Sequence, residues 1–80
     1  MGTQSKYQIV TTLGSNIRAA RESLEMTQKD VGDRIGVTNR DVSRWENGKV
    51  EPGAMNRQLL ADVLFDGDVS RMYETERTAA

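Results

Sequence analysis

Two Thr-x-x-Asp boxes, Thr27-Gln28-Lys29-Asp30 and Thr38-Asn39-Arg40-Asp41, stand on either side of Gly36. In such a box the hydroxyl caps the amide three residues on, and the acid reaches back to the N–H of the capping residue. Each box therefore starts a helix, and its acid suits the positive end of the helix dipole. Between the boxes, Val31 and Ile35 form the inward stripe of a two-turn helix. Gly36 ends that helix as a residue able to take a left-handed conformation. The next helix runs from Thr38 to about Asn47, with Val42 and Trp45 inward and Gly48 at its end. The chain must therefore fold as helix, Gly36-Val37 turn, helix, with Val37 plugging into the core. Gly32 lies inside the earlier helix, at a cost of about 1 kcal/mol against Ala. Two helices crossing steeply through so short a turn need a very small residue where their backbones meet.

The flanking segments are also helical. Ile17, Ala20, Arg21 and Leu24 share one face of a helix with a period of about 3.6 residues. Val50-Glu51-Pro52-Gly53 is a loop by its Pro-Gly. Met55, Leu59, Leu60, Val63 and Leu64 give a fourth, more apolar helix. After the turn Asp66-Gly67-Asp68, Val69, Met72 and Tyr73 give a short fifth helix capped by Asp68. No segment alternates with period two. The expected fold is all-α, a compact bundle of about five short helices. Residues 1–13 are expected to be a flexible arm, 14–74 the domain and 75–80 a disordered tail. Tyr7 and Ile9 leave a short packed extension of the arm open.

Composition narrows the function. Eighty residues allow one domain and a thin core, which leaves no room for a deep substrate cavity. The sequence has no His and no Cys, which removes thiolate catalysis, disulfides, the usual zinc sites and imidazole acid–base chemistry. An enzyme is not expected, nor is a cofactor or metal. No apolar run approaches the ~18 residues of a membrane span, and neither a secretory h-region nor a myristoylation signal is present. A soluble cytoplasmic protein is expected. The overall charge is −1, but residues 1–50 hold eight Lys/Arg against six Asp/Glu, and residues 51–80 hold three against six. The first part, at net +2, is the candidate for facing a negative partner, and the second, at −3, is not.

The run from Met26 through Thr38, followed by Val42-Ser43-Arg44-Trp45-Glu46-Asn47-Gly48, resembles the helix-turn-helix domain of the lambda repressor and Cro type, also called XRE-type. The resemblance reaches back to Ile17-Arg18-Ala19-Ala20-Arg21-Glu22 and forward through Pro52 to Leu64. It implies a lambda-repressor-like fold with the helix-turn-helix at the second and third helices. It also implies base-reading positions at Thr38, Asn39, Arg40, Ser43 and Arg44. The wheel agrees independently. At about 100° per residue, Val42 and Trp45 occupy one arc, and Asn39, Arg40, Ser43 and Arg44 the opposite one. Arg can bind guanine O6/N7 in bidentate fashion, and Asn adenine N6/N7. Thr38 remains open between helix cap and base contact.

Gln28 opens the second helix, where its side chain and free amides can hold a DNA phosphate. The resemblance implies that use. Lys29, Asn47 and Lys49 are expected as further phosphate contacts, with Asn16 and Arg18 as weaker ones. Arg21 lies on an apolar face and needs a partner. The resemblance places Glu46 opposite it as a structural ion pair. One departure is the loop before the fourth helix, where members of this family often carry a basic residue and this chain has Glu51 and Gly53.

The expected function is a sequence-specific double-stranded DNA-binding transcriptional regulator, a repressor working as a homodimer on a palindromic operator in the bacterial or phage nucleoid. Val69, Met72, Tyr73, Leu64 and Phe65 could form the dimer surface or merely close the core. The alternative is a protein-interaction module that keeps the fold, such as an antitoxin or an antirepressor partner.

Overall fold

The computed structural model describes residues 6–74, with side chains from residue 12 onward. Its elements are α1 (Lys6–Ser23), α2 (Gln28–Ile35), α3 (Asn39–Glu46), α4 (Ala54–Leu64) and a 3-10 helix at Val69–Tyr73. There is no strand among the described residues, so the fold is an all-α bundle of four main helices closed by a short 3-10 turn.

The core draws on every element. Leu13 and Ile17 of α1, Val31 of α2, and Val42 and Trp45 of α3 meet Leu60, Ala61 and Leu64 of α4. Phe65 and Met72 close the end. Leu64, Phe65 and Met72, read from sequence as either dimer surface or core, are therefore buried in the chain's own core. Val69 and Tyr73 are half-buried against it.

The first helix begins at Lys6, so residues 6–13 of the expected arm are helical. Gly14 lies within this helix. A glycine lowers helix propensity and reads as punctuation, but this one is buried inside α1. A β-carbon there would strike the carbonyl oxygen of Trp45 and lie 2.7 Å from that of Glu46. Gly14 is thus where α1 lies directly on the C-terminal turn of α3. Residues 1–5 of the expected arm and the expected tail at 75–80 lie outside the described residues.

Two apolar residues leave the faces assigned to them. Leu24 is 52% exposed because α1 stops at Ser23. Glu25 follows in the left-handed region at φ 57°, and Met26 N–H bonds back to Arg21 O at 3.1 Å. Met55 is 76% exposed. It stands about 180° around α4 from the buried Leu64.

The expected fifth α-helix is a 3-10 helix. The chain enters it from Asp66 and Gly67, both with positive φ, and the helix is only five residues long, a length at which i→i+3 bonding is common. Asp68 caps it, accepting Ser70 N–H at 3.0 Å. Asn16 of α1 pins its far end, donating both Nδ2 protons at 2.7 Å, to Met72 O and Glu74 O.

Glycine at α1's contact with α3 yields a prediction with an inverted sign. Gly14→Ala should gain about 1 kcal/mol from helix propensity alone. Because the added carbon meets two carbonyls, overpacking should reverse this to a net loss of about 1–3 kcal/mol. Urea unfolding of the variant against the parent chain reads that sign.

Candidate nucleic-acid interface

The α2–turn–α3 unit is built by the local chemistry anticipated for it. Thr27 Oγ1 accepts Asp30 N–H at 2.9 Å, and Asp30 Oδ2 accepts Thr27 N–H at 2.8 Å. The backbone hydrogen bond from Thr27, with a further contribution from the Thr27 hydroxyl, holds the Asp30 carboxyl below the usual carboxylate range. The second box repeats the pattern, with Asp41 N–H on Thr38 Oγ1 at 3.1 Å and Thr38 N–H on Asp41 Oδ2 at 3.3 Å. Gly36 adopts φ 83°, and the N–H groups of Gly36 and Val37 both donate to Gly32 O, at 2.8 and 2.9 Å. At Gly32 a β-carbon would come within 2.6 Å of Val37 O. The turn can fold this tightly only because that carbon is missing.

The turn sets which side of α3 faces out. Val42, Trp45 and Glu46 are buried. Asn39, Arg40 and Arg44 are exposed, and none has a side-chain partner among the described residues. Ser43 is half-buried at the edge of this face. Thr38 sits at its N-terminal end with its oxygen used as a cap and its proton still available.

Behind the face lies a carboxylate shared by three helices. The Glu46 side chain is 0% exposed. Its Oε2 accepts Arg21 Nε at 2.6 Å, and its Oε1 accepts Arg21 Nη2 at 3.0 Å, Gln28 Nε2 at 3.0 Å and Arg18 Nε at 3.4 Å. Arg21 also donates to Met26 O at 2.8 Å. Burial by itself would raise the Glu46 carboxyl, but the hydrogen bonds from Arg21 and Gln28 outweigh it, with the charge of Arg21 added. The carboxyl is held below its ordinary value. The same hydrogen bond raises Arg21, against the opposing effect of burial.

The residues expected at phosphates divide by how many donors they have left. Asn16 has no donor left over: both protons of its amide are spent on Met72 O and Glu74 O. Its remaining oxygen cannot donate to an anion, so it is a structural pin. Gln28 gives one amide proton to Glu46 and keeps one. Arg18, with 47% of its side chain exposed, donates to Glu46 and to Asn47 Oδ1 at 3.2 Å. Asn47 donates to Ser43 Oγ at 3.2 Å. Lys29 is exposed and paired with Asp33 at 2.8 Å, which raises its amine. Lys49 is exposed in the loop after α3. Sequence reasoning missed the convergence of Arg18 and Gln28 on Glu46. Each residue looks like an ordinary surface polar residue until the helices are packed.

Residues 17–65, more than half of the chain, match the family model described as Helix-turn-helix. The chain belongs to the helix-turn-helix family, as a DNA-binding domain of the XRE/Cro type. This helix-turn-helix domain is 36% identical over 59 residues to the mycobacterial cidal antitoxin MbcA of Mycobacterium tuberculosis, covering 74% of this chain and 52% of that one. It is 35% identical over 66 residues to repressor protein C2 of Salmonella phage P22, covering 74% and 31%. It is 36% identical over 53 residues to the HTH-type transcriptional regulator DicA of Escherichia coli, covering 66% and 39%. The chain thus spans about half or less of these relatives' lengths. Family membership supports a non-enzymatic, regulatory role. Among the described residues, no acidic cluster could hold a metal ion and no helix is long and apolar enough to cross a membrane.

The depressed Glu46 carboxyl has a consequence for acid stability. A group whose folded value lies below its unfolded value of about 4.3 stabilises the fold above that unfolded value. That contribution fades as pH falls through the folded value. Glu46→Gln should remove it and leave Arg21 without its counter-charge, costing about 3 kcal/mol at pH 7. Denaturant melts of both chains from pH 7 down to about pH 3 should show the gap between them narrowing as the parent carboxyl takes up its proton.

Proposed function

We propose that this chain is the operator-reading part of a transcriptional repressor, with α3 lying in the major groove of double-stranded DNA. The observation that carries the reading is the bare face of α3. Arg40, Arg44 and Asn39 stand exposed and unpartnered among the described residues, while Trp45, Val42 and Glu46 behind them are locked into the body. A solvated helix face of a scaffold does not need three converging side chains to hold its back. Similarity to repressor protein C2 and to DicA supports the same reading.

In this reading Arg40 and Arg44 bind guanine edges and Asn39 an adenine edge, with Ser43 and Thr38 contributing single hydrogen bonds. Gln28, Lys29, Asn47, Lys49 and Arg18 hold phosphates through their remaining donors, helped by the positive end of α2. One helix covers too few base pairs to locate a site in a genome. A homodimer on a near-palindrome with half-sites about 10 base pairs apart resolves this. Its site of action is the cytoplasm, on bacterial or phage DNA. A second reading, an antitoxin that keeps the fold and binds a protein, is favoured by the similarity to MbcA and by the acidic balance of residues 51–80. A stable protein partner together with an absence of salt-sensitive DNA binding would support that reading instead.

Selection of bound duplexes from a random pool tests the repressor reading. A palindromic motif is expected. On it, Arg40→Ala and Arg44→Ala should each lose about 1–3 kcal/mol of discrimination with unchanged helicity, since both side chains are exposed. Affinity should fall with log salt at a slope near −4 per subunit, from about four to five neutralised phosphates. Unchanged affinity of both variants for the selected site would overturn the role given to α3.

A further inference from the structure

A chain of hydrogen bonds with a fixed direction ends on the exposed side of α3. Its first link is Arg18, whose Nε donates to the buried Glu46 carboxylate at 3.4 Å. The same guanidinium donates through Nη2 to Asn47 Oδ1 at 3.2 Å. Asn47 Nδ2 in turn donates to Ser43 Oγ at 3.2 Å. An asparagine amide can usually turn over and exchange donor for acceptor. Here it cannot, because a guanidinium has donors only. Asn47 must show its oxygen to Arg18 and its amine to Ser43. Ser43 is therefore an acceptor on its inner side.

The consequence falls on the Ser43 proton. A serine in a helix commonly returns its hydroxyl to the carbonyl of the preceding turn. Ser43 Oγ makes no such bond among the described residues, and its described partner is the Asn47 amine. We infer that Arg18 and Asn47 are positioning residues that turn the Ser43 hydroxyl into a directed hydrogen-bond donor toward an acceptor on the major-groove edge of a base. The inference rests on the DNA-reading function proposed above. A serine is ordinarily indifferent between donor and acceptor at a base edge. This one is polarised. Guanine O6 or N7, adenine N7 and thymine O4 take its proton. A base amine could use the second lone pair but would leave that proton without a partner.

This assigns α1 a part in specificity. Arg18 is held to the Glu46 hub and acts on the base through two side chains without touching it. Asn47 keeps one amide proton for a phosphate, so a single amide can serve both backbone and base.

The test uses the full chain. Duplexes are selected from a random pool by the parent chain, then competed with single base-pair substitutions. Ser43→Ala should erase the preference at one base-pair position, by about five-fold, the worth of a single hydrogen bond. Asn47→Asp should erase the preference at that same position, because its carboxylate captures the serine proton. It should also weaken all sequences alike by its charge. The double variant should discriminate there no worse than Asn47→Asp alone, and preferences at other positions should stand. A Ser43-dependent preference that survives Asn47→Asp, or a motif indifferent to Ser43→Ala, overturns the relay and leaves the DNA reading intact. A parent chain that selects no motif overturns both. A DNA-free readout covers a variant that fails to fold. In NMR spectra, Ser43→Ala should shift one of the two Asn47 Nδ2 protons, and Arg18→Met should shift both. An Asn47 amide unmoved by either substitution overturns the relay.

Discussion

The rest of the structure hangs on one buried carboxylate. Glu46 belongs to α3, but its four hydrogen bonds come from Arg18 and Arg21 of α1 and Gln28 of α2. A carboxylate with no exposed side-chain surface is tolerable only when its charge is compensated and its lone pairs are filled. Here both conditions are met by residues that no single helix could supply. The hub therefore ties the inner face of α3 to α1 and α2, beside the apolar packing of Val42 and Trp45. With the turn setting the side and this inner face held, Arg40 and Arg44 stand outward.

Close backbone approach is the second constraint. At Gly14, α1 rests on the last carbonyls of α3, and at Gly32, α2 rests on the carbonyl of Val37. Each contact brings main chain to within a distance that a methyl group would forbid. Together they let the helices pack backbone to backbone without a large core, which suits a chain of this size. Close packing behind α3 would serve the base reading proposed for it, because hydrogen bonds to base edges discriminate only when their donors are held in place before the encounter.

Much of this was legible because the signals are local. The two capping boxes, the left-handed Gly36 and the inward Val31, Val42 and Trp45 all depend on spacing along one or two turns, and the chain places them accordingly. Errors arose where a local rule met a tertiary fact. Gly14, which carries no local signal for it, is a contact between helices. Leu24 kept the helical spacing, but its helix had already ended. Met55 was grouped with a stripe from which it is half a turn removed. Asn16 looked like a free amide beside a helix start, and the 3-10 helix takes both of its protons.

By itself, the amino-acid sequence determined the starts of α2 and α3, the turn between them and the chemical character of the outward face of α3, since caps, glycine backbone preference and residue type act over a few residues. Tertiary structure alone decided how those side chains spend their donors. Whether Gln28, Arg18, Asn16 and Asn47 face solvent or a neighbouring helix depends on which groups packing brings within about 3 Å. Residues as far apart as Arg18 and Asn47 have no local rule connecting them. A hydrogen bond is directional and short-ranged, so its partner is chosen only after the chain has folded.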